Sequence, residues 1–442
     1  MGPAVDSVAV DEALPAATTV LVVGGGIIGA CAALHLAEAG IPVVLAEKGA
    51  LAGEQSSRNW GWCRTVGRDP REIPLAAEAL RLWGGMNERV EGETGFRRTG
   101  IAYSCASEAD LARRAAWLEQ HARPLGLDAR LVGPARMAAL FPGGPGFAGG
   151  LYSPGDGRAE PQKAVPAIIA GARRRGAIVL AGCAVRGIER SAGRISGAVT
   201  ERGRIGCQAV IFAGGAWTSL LCRGAGLRLP QLKVRSSVLR TAPVQGLPDT
   251  AMWAADFAFR KRLDGGYTIA DGHSSVAEIV PDSLRYGFDF LPLMAAEWRS
   301  FRLGLGRRFI DEARQWRPTA LDRPSVFEAV RVLDPEPDTA ALARGLSRLA
   351  AAFPGFAGVP VAQQWAGYID AMPDAVPVIS TVDAVPGLVV ATGFSGHGFG
   401  IGPSAGQLAA ELATASHPLV DPAPFRFARF SDGSRPRPIA GL

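Results

Sequence analysis

Blocks of apolar and polar positions near the amino terminus predict a strand, a glycine turn, a helix and a second strand. Thr19–Val23 and Val43–Ala46 are short apolar runs of the kind that form buried strands. Between them, Ile27–Ala39 is rich in small and apolar residues and predicts a closely packed helix. The block Gly24–Gly29 joins strand to helix, and Glu47 follows the second strand. This order is typical of a dinucleotide-binding unit.

The glycines of this turn and the acid after the second strand each meet a need of nucleotide binding. The first glycine permits the tight turn, the second lets the backbone approach a pyrophosphate, and the third lets the helix lie close to the sheet. The N–H groups and positive dipole end at the helix start favour an anion. The acid can accept hydrogen bonds from ribose hydroxyls and would repel a 2′-phosphate, so NADP is disfavoured. The residues predicted to hold the nucleotide are Gly24, Gly26, Ile27, Ile28, Gly29 and Glu47.

Helical and strand-like patterns alternate along the rest of the chain, after a polar, glycine-punctuated loop at Leu51–Arg68. Apolar spacing predicts helices over Ile73–Val90, Ser107–Leu125, Glu160–Gly176, Pro292–Phe309, Asp338–Phe353 and Pro403–Ala415. Short β-rich runs predict strands over Phe96–Cys105, Ile178–Ala181, Val185–Glu189, Ile195–Thr200, Gly206–Phe212, Val234–Thr241, Phe257–Arg262, Tyr267–Ala270 and Leu388–Thr392. The four strands from Ile178 to Phe212 are expected to form a small β-meander.

Junctions between a strand and a glycine turn occur at the start, middle and end of the chain. Besides Gly24–Gly29, they lie at Ala213–Gly215 and Gly393–Gly400. Their distribution predicts an α/β fold with one nucleotide domain assembled from three separate segments, beside a β-rich second domain. The predicted boundaries are 17–95, 145–225 and 355–430 for the nucleotide domain, 96–144 and 226–354 for the second domain, and 1–16 and 431–442 for flexible termini.

Composition and charge exclude several classes of protein. The chain has 442 residues, of which 48% are hydrophobic and 20% charged, enough for a large core. The net charge of +6 is spread along the chain and does not indicate a nucleic-acid partner. Glycines interrupt the uncharged stretch Thr19–Ala37, and no Lys or Arg precedes Lys48, so neither a transmembrane segment nor a secretory signal is expected. These patterns favour a cytoplasmic protein.

Cysteines and histidines give no sign of a metal site. The six cysteines form no C-x-x-C pair and lie in apolar contexts, which favours buried thiols. The five histidines lack the spacing of metal ligands, so no metal is predicted. The absence of a G-x-S-x-G elbow and of a G-x-x-x-x-G-K-[ST] loop argues against a serine hydrolase and a P-loop NTPase.

Several motifs together resemble one flavoprotein family. They are Gly24-x-Gly26-x-x-Gly29 with Glu47, the loop Ser56–Arg64, Ala213–Trp217, Trp365–Gly367 with Asp374-x-x-Pro377, and Gly393–Phe399. The set resembles the D-amino-acid oxidase superfamily of FAD-dependent oxidoreductases over most of the chain, and its last motif is most similar to the sarcosine oxidase and glycine oxidase branch. The resemblance implies a Rossmann-like FAD-binding domain of the glutathione reductase type and a substrate domain with a large antiparallel or mixed β-sheet and helices.

The resemblance implies FAD, with its pyrophosphate at the first glycine turn, its ribose at Glu47 and its adenine near Val185. The isoalloxazine would lie near Ser57, Arg58 and Trp60. Relatives with covalently bound flavin use a Cys near the position of Trp365–Gly367 or a His on the loop that corresponds to Leu51–Arg68, which we call the early loop. This chain has neither residue, so dissociable FAD is expected. The other residues expected at FAD are Lys48, Ser56, Asn59, Ala213, Gly214, Gly215, Trp217, Gly393, Gly396, His397, Gly398, Phe399 and Gly400.

The chemistry implied by the resemblance is oxidation of a carbon next to nitrogen, with hydride transfer to flavin N5 and formation of an imine. Relatives hold the substrate carboxylate with an Arg after W-A-G-x, here Ile369, or with a Lys after G-H-G-F, here Gly400. A third anchor, an Arg on the early loop, matches Arg64, which is therefore predicted to bind the carboxylate. An ion pair or a flavin contact of Arg64 is the alternative.

His273, His397 and Tyr368 are further candidates for the substrate pocket. Because a histidine pKa lies near neutrality, either histidine could accept a proton from an incoming ammonium, and a structural role is the alternative for both. The Lys that assists oxygen reduction in sarcosine oxidases is replaced near Thr268, which favours a dehydrogenase over an oxidase.

The expected partners are a small amino acid or secondary amine as donor and O2 or a redox carrier as electron acceptor. A 2-hydroxy acid or polyol dehydrogenase and a non-catalytic flavin-binding subunit are the alternatives that keep the cofactor. The stereochemistry of the donor and the oligomeric state are left open by the sequence.

Overall fold

The computed structural model describes residues 2–272, 275–297, 301–315, 318–434 and 436–439. The predicted site residue His273 lies outside these ranges.

The described residues form strands and helices that alternate along most of the chain. The strands are β1 (Val20–Val23), β2 (Val43–Ala46), β3 (Trp62–Cys63), β4 (Ile101–Cys105), β5 (Arg130–Val132), β6 (Gly149–Ser153), β7 (Gly157–Arg158), β8 (Ile178–Leu180), β9 (Val185–Ser191), β10 (Arg194–Thr200), β11 (Gly203–Gly206), β12 (Ala209–Phe212), β13 (Leu232–Thr241), β14 (Ala251–Trp253), β15 (Phe257–Lys261), β16 (Tyr267–Asp271), β17 (Ser275–Glu278), β18 (Phe301–Gly304), β19 (Val361–Ala371), β20 (Val378–Thr381) and β21 (Leu388–Thr392). The helices are α1 (Ile27–Glu38), α2 (Gln55–Arg58), α3 (Ile73–Gly84), α4 (Met86–Arg89), α5 (Glu108–Trp117), α6 (Pro134–Leu140), α7 (Pro161–Arg174), α8 (Thr218–Gly224), α9 (Pro281–Glu297), α10 (Arg308–Arg314), α11 (Val326–Ala329), α12 (Thr339–Ala352) and α13 (Gly398–Ala413).

A six-stranded sheet in the order β20-β21-β12-β1-β2-β8 forms the nucleotide-binding part of the fold. Its strands are parallel except β20, which runs antiparallel to β21. Helices α1, α3, α7 and α13 contribute to the apolar core on one face, and the meander β9–β11 contributes to the core on the other. Because both faces are covered, every residue of β1 and β2 is buried and apolar.

A second, larger sheet has the order β18-β17-β13-β16-β15-β14-β4-β6-β5, with β19 paired to β13 along most of its length. Phenylalanines and α12 fill the core on one face of this sheet. Strand β19, which pairs antiparallel with β13, is followed in the sequence by β20 and β21 of the first sheet. The chain therefore passes from the large sheet to the first sheet after β19. Strand β6 (Gly149–Ser153) pairs with β4 in the large sheet, although the sequence placed residues 145–225 with the nucleotide domain.

The elements of the first unit, β1, α1 and β2, have the predicted type and bounds within one residue, and several later elements differ. Helix α13 begins at Gly398, five residues before the predicted start, because the glycine turn itself forms its first turn. Phe301–Gly304 is a strand where a helix was predicted, since it pairs in parallel with β17. Ile178–Leu180 is the edge strand of the parallel sheet and not part of the meander.

Two predicted helices are shorter than expected, and the predicted loop is partly ordered. The segment 73–90 divides at Gly85 into α3 and α4, and the segment 107–125 ends its α-helix at Trp117 and continues as one π and one 3₁₀ turn. The loop Leu51–Arg68 contains the short helix α2 and the strand β3.

The segment 2–16, predicted to be flexible, is bonded to the nucleotide-binding part of the fold. Asp11 pairs with Arg173 of α7 at 2.7 Å and accepts a hydrogen bond from the backbone of Val179 at 2.8 Å. None of the described helices is both long enough and apolar enough to cross a bilayer.

Candidate active site

The first glycine turn packs against the second one with no room for side chains. Gly24 has φ +115°, and a Cβ on it would lie 2.4 Å from the carbonyl oxygen of Ala213. A Cβ on Gly29 would lie 2.0 Å from the carbonyl oxygen of Gly24. Real Cβ contacts of this length do not occur, so both positions require glycine. The sheet order explains the contact, because β1 and β12 are neighbours and their carboxyl ends meet.

The start of α1 presents backbone N–H groups toward a cleft. The first hydrogen bond within the helix is donated by Ala30 to Gly26, so the N–H groups of Ile28 and Gly29 are not used by the helix itself. The N–H of Ile27 donates to Ser56 Oγ at 2.9 Å, which fixes the early loop against the turn. These features form an anion-binding end of a helix.

The carboxylate of Glu47 lies at the end of β2 as the ribose-binding hypothesis requires. It accepts hydrogen bonds from the backbone N–H groups of Gly25 and Gly49, both at 2.8 Å. Burial raises the pKa of Glu47, and the two N–H donors lower it in part. The two bonds hold the carboxylate in place and leave lone pairs on its oxygens for further donors.

We call the first glycine turn, Gly24–Gly29, together with Glu47 the cradle. One cleft runs from the cradle, between the two sheets, to the last glycine turn, Gly393–Gly400. Gly29, Ser57 and Gly393 are the predicted residues in the described ranges that do not line it. The predicted residues that line it are Gly24, Gly26, Ile27, Ile28, Glu47, Lys48, Ser56, Arg58, Asn59, Trp60, Arg64, Val185, Ala213, Gly214, Gly215, Trp217, Tyr368, Gly396, His397, Gly398, Phe399 and Gly400. Segments that are far apart in sequence thus meet at a single site.

Lys48 is bonded to the protein. Its Nζ donates to Glu54 at 2.9 Å and to the backbone carbonyls of Val330 and Arg331 at 2.9 and 2.8 Å, and it lies over the ring of Trp217. Glu54 also accepts from Trp217 Nε1 at 3.0 Å. These bonds use all three donors of Lys48, so its role as an FAD ligand stays a prediction that the geometry does not favour.

Arg58 and Asn59 likewise bond to their own surroundings. The buried guanidinium of Arg58 donates to Asp334 at 2.6 Å and to the carbonyl of Ala366 at 2.8 Å. The side chain of Asn59 donates to the carbonyl of Gln55 at 3.1 Å and closes the carboxyl end of α2. Both residues shape the loop beside the cleft.

The wall of the cleft near Arg64 is aromatic. The rings of Trp60, Trp62 and Trp253 lie 5.2 to 5.9 Å apart. Arg64 lies 5.9 Å from the Trp62 ring and donates to the backbone of Val66 and to the hydroxyl of Tyr103. The indole N–H of Trp62 is buried and finds no acceptor among the described residues.

Arg68, which the sequence analysis did not select, lines the cleft next to Arg64. It is only 2% exposed, and its Nη1 has no hydrogen-bond partner within the described ranges. Burial, with the charge of Arg64 beside it, lowers the pKa of Arg68 to about 10, so it remains a cation at neutral pH. A buried cation with an unsatisfied donor is costly, and an anion in the cleft would offset that cost.

His397 lies at the start of α13 with its Nδ1 3.1 Å from the carboxylate of Glu72. Burial lowers the pKa of His397 to about 4, and nearby Arg68 acts in the same direction. The neutral ring therefore donates Nδ1–H to Glu72 and keeps Nε2 as an acceptor. A group with this pKa is a weak base, which favours an orienting role for His397.

Tyr368 on β19 lines the cleft, and its side chain contacts the ion pair of Glu278 and Arg308. Its hydroxyl donates to Glu278 at 3.0 Å, and the guanidinium of Arg308 lies 4.2 Å from its ring. Arg308 also bonds to Glu278 at 2.9 Å. Burial raises the pKa of Tyr368 to about 12, so its hydroxyl stays protonated.

A second residue that the sequence analysis did not select is Asp370, near the end of β19. Its carboxylate accepts from the N–H of Gly393 at 2.8 Å and from Thr392 at 3.2 Å, and burial raises its pKa to about 6. It fixes the last glycine turn to the long strand. An acid in the otherwise apolar run after Trp365 was the sequence signal that could have identified it.

Gly400 shows why the position after G-H-G-F carries no lysine. A Cβ there would lie 2.6 Å from the backbone carbonyl oxygen of Trp62. The close packing of the helix start on β3 excludes any side chain, so this anchor of the relatives is absent.

The described residues contain no cluster of side chains that could hold a metal ion. All six cysteines are free and buried, in agreement with the prediction of buried thiols.

The cradle fits FAD on three structural grounds. At Gly24 and Gly29 a Cβ would collide with backbone carbonyl oxygens, so the turn can be this tight only with glycine. The start of α1 supplies N–H donors that the helix itself does not use, and Glu47 follows the neighbouring strand β2. The cleft continues past Val185 on one side and to the turn Gly396–Gly400 on the other.

Comparison with known proteins agrees with this geometry. The DAO family model, described as FAD dependent oxidoreductase, matches residues 19–412. Glycine oxidase from Pseudomonas aeruginosa is 27% identical over 420 residues, 92% of this chain and 97% of that protein. Sarcosine oxidase subunit beta from Rhizobium meliloti is 26% identical over 431 residues, 94% of this chain and 88% of that protein.

Among solved structures, L-amino acid deaminase from Proteus myxofaciens in complex with anthranilate superposes with a TM-score of 0.94 at 30% identity, covering 97% of both chains. The predicted Rossmann-like FAD-binding fold with its large mixed sheet and the predicted FAD cofactor are thereby confirmed. The chain belongs to the DAO family of FAD-dependent oxidoreductases.

Proposed function

We propose that the protein oxidises the C–N bond of a small amino acid or of a secondary or N-methyl amine that carries a carboxylate. The observation that carries this proposal is the pair Arg64 and Arg68 in the wall of the FAD cleft, where the buried Nη1 of Arg68 has no hydrogen-bond partner among the residues that the structure describes. The names of the relatives support the substrate class, since glycine oxidase, sarcosine oxidase and L-amino acid deaminase are among them.

Non-covalent FAD, when bound, supplies the acceptor for a hydride from the carbon next to nitrogen. The chain's own residues bind and orient the donor. Two guanidinium groups on one wall can hold a carboxylate through several charge-assisted hydrogen bonds, which fixes direction as well as position. The rings of Trp60, Trp62 and Trp253 exclude water from the same wall.

Neutral His397 offers its Nε2 as a hydrogen-bond acceptor beside these arginines. We propose that it orients the amine, because a base of such low pKa holds a proton poorly. The amine is expected to react in its unprotonated form.

A dehydrogenase is favoured over an oxidase. Thr268 is buried in β16, where it accepts a hydrogen bond from Arg262 at 3.4 Å. The lysine that assists reduction of O2 in sarcosine oxidases is therefore replaced near this position.

The proposal is tested by mixing the FAD-loaded protein, without oxygen, with D- and L-amino acids, N-methyl amino acids, cyclic imino acids, 2-hydroxy acids and uncharged amines. Loss of the yellow flavin absorbance identifies the donor, and slow return of the colour in air indicates a dehydrogenase. Bleaching by 2-hydroxy acids alone would overturn the C–N assignment, and no bleaching by any donor would indicate a non-catalytic flavin subunit.

Arg64→Ala tests the anchor in the same assay. Loss of a buried charge-assisted contact costs roughly 2–4 kcal/mol, so the rate of flavin reduction by carboxylate donors should fall by about 30- to 1000-fold and that by uncharged amines far less. Arg113→Ala is the control, since Arg113 is 71% exposed on α5 and pairs with Asp110 of the same helix. Equal losses for both donor classes would remove Arg64 from the site.

A further inference from the structure

The buried carboxylate of Glu72 is the partner of His397, although the two residues are far apart in the sequence. Its Oε2 lies 3.1 Å from Nδ1 of His397, and its side chain is 0% exposed. Glu72 is not among the residues that line the cleft, whereas His397 lines it and has a side chain that is 25% exposed. The acid therefore acts on the cleft through the histidine.

Glu72 stands directly before α3, where a carboxylate would normally serve its own helix. Carboxylates near the start of a helix are stabilised by its free N–H groups and its positive dipole end. The side chain of Glu72 makes no capping hydrogen bond, and it extends instead to His397 at the start of α13. It thus serves a distant partner and not α3.

Two further hydrogen bonds hold α3 against α13. Nε1 of Trp83 on α3 donates to the backbone carbonyl of Gly400 at 2.8 Å. Oγ of Ser404 on α13 donates to the backbone carbonyl of Leu75 at 2.7 Å. All four residues are buried. The spacing between the acid and the imidazole ring is therefore set by two packed helices.

Two arginines lie near the acid and the ring. Burial and the charge of Arg64 lower the pKa of Arg68, and the charge of Glu72 opposes this lowering. Burial also lowers the pKa of His397, the charge of Arg68 acts in the same direction, and Glu72 acts in the opposite one. Oε1 of Glu72 and Nη1 of Arg68 are buried and have no hydrogen-bond partner in the described ranges. Glu72 thus supplies negative charge next to the two arginines that are proposed to bind the donor carboxylate.

We propose that Glu72 is a positioning residue for the donor amine, a role that rests on the proposed function. Its carboxylate accepts Nδ1–H of His397, so the lone pair of the neutral ring stays on Nε2, the nitrogen that is left for the cleft. With the donor carboxylate at Arg64 and Arg68, Nε2 accepts a hydrogen bond from the N–H of the amine. The two contacts together fix the direction of the donor.

Glu72→Gln is the variant that separates this role from simple packing. Glutamine has the size of glutamate, with an amide NH2 in place of one carboxylate oxygen. Beside Arg68, the amide oxygen is expected to face the cation and the NH2 to face His397. Nδ1 must then accept the hydrogen bond, so the ring proton moves to Nε2. The nitrogen that should accept from the amine becomes a donor.

The first measurement follows the tautomer by 15N NMR of the FAD-loaded full chain, labelled at the histidine ring nitrogens and held at neutral pH. The chain has five histidines, and the signals of His397 are those that disappear in His397→Asn. In the unaltered protein Nδ1 should carry the proton and Nε2 should not, and in Glu72→Gln the two nitrogens should exchange roles. This readout needs no donor.

The second measurement follows flavin reduction without oxygen over a range of donor concentrations. Glu72→Gln should lower the limiting rate by about tenfold and raise the half-saturating concentration by less than about threefold, because the arginines still bind the carboxylate. Glu411→Gln is the matched control. Glu411 is a buried carboxylate on α13 that lies 4.0 Å from His35, and neither residue lines the cleft. The control should leave the tautomer of His397 and both kinetic quantities unchanged.

Thermal unfolding and flavin absorbance show whether each variant is folded. If Glu72→Gln does not fold, Glu72→Asp takes its place, since it keeps the charge but draws it back from the ring by one methylene. It should lower the limiting rate as well, with the ring proton shared between Nδ1 and Nε2.

The role of Glu72 is overturned by a ring in the unaltered protein that is charged or carries its proton on Nε2. It is also overturned by an unchanged tautomer or an unchanged limiting rate in the folded variant, or by an equal loss of rate in Glu411→Gln. If no donor reduces the flavin of the unaltered protein, the proposed function fails and the role of Glu72 with it. Reduction of the unaltered protein with unchanged variants overturns the role of Glu72 alone.

Discussion

The two ends of the cleft differ in how completely their polar groups are bonded. At the cradle, Lys48 uses its three donors on protein acceptors, and Arg58 bonds to Asp334, Gly53 and Ala366. Glu47 is held by two backbone N–H groups. The polar side chains of this end are therefore bonded to the protein itself.

At the other end, several buried polar atoms lack partners within the described residues. They are Nη1 of Arg68 and Nε1 of Trp62, whose residues line the cleft, and Oε1 of Glu72, the buried partner of His397. Each costs about 1–3 kcal/mol while it is unsatisfied. The difference indicates that the protein prepares the cofactor end by itself and leaves part of the bonding at the far end to a ligand.

The largest effect is expected at the cradle, where a single methyl group breaks the contact between turn and helix. Gly29→Ala places a Cβ 2.0 Å from the carbonyl oxygen of Gly24. Moving the helix away from the pyrophosphate should weaken FAD binding by about 1000-fold, or about 4 kcal/mol. Titration of the apoprotein with FAD, followed by flavin fluorescence, measures the change.

Gly85→Ala is the control for this substitution. Gly85 has φ −105°, and nothing lies within 4 Å of a Cβ built there. Its affinity for FAD should equal that of the unaltered protein. Unchanged affinity in Gly29→Ala would show that FAD is not held at this turn.

The next effect separates a buried arginine that has an unpaired donor, Arg68, from a buried arginine that bonds to three acceptors, Arg58. Arg68→Met removes a buried charge that has an unpaired donor, so the ligand-free protein should keep or gain thermal stability, while reduction by carboxylate donors falls by about 100-fold, or about 3 kcal/mol. Arg58→Met removes three bonds and should instead lower the free energy of unfolding by about 3 kcal/mol. Loss of stability in Arg68→Met with unchanged donor kinetics would make Arg68 a structural residue.

A smaller effect is expected from the titration of His397. Its pKa falls from the ordinary 6.5 to about 4 in the folded protein, so the folded state favours the neutral ring. The stabilisation is complete above the unfolded pKa and is lost as the pH falls through 6.5 toward 4, by about 2 kcal/mol between about pH 7 and about pH 5. His397→Asn should lack this component of the pH dependence of thermal unfolding, and identical profiles would show that the ring is not held neutral.

The cradle could be predicted from the sequence because its signals are local. Strand, turn and helix follow one another within thirty residues of chain, from Thr18 to Glu47, and each glycine has its own steric reason. The start of α13 was placed too late because glycines and Pro403 usually end or precede helices, whereas here packing of Gly400 on β3 and of Gly406 on α1 requires them inside the helix.

The far end of the cleft was harder to predict because its residues meet only through tertiary contacts. Arg68 is the last residue of the polar loop Leu51–Arg68, and nothing in the local sequence shows that its side chain is buried. The partner of His397 is Glu72, 325 positions away in the sequence. Strand β18 depends on pairing with β17, and its own residues fit a helix equally well.

The smallest effect is expected at Tyr368, which lines the cleft but donates its hydroxyl hydrogen bond to Glu278. Tyr368→Phe removes the hydrogen bond to Glu278, and Glu278 keeps its ion pair with Arg308 at 2.9 Å, so the free energy of unfolding should fall by only about 1 kcal/mol. The ratio of rates for carboxylate and uncharged donors should stay the same. Since the hydroxyl pKa is raised to about 12, the pH profile of flavin reduction near neutrality should not move either. A large fall in the reduction rate, with a shifted pH profile and unchanged stability, would instead place the hydroxyl among the reacting groups. The part of the cleft whose polar groups are left for a ligand would then include Tyr368 of β19 as well as Arg68.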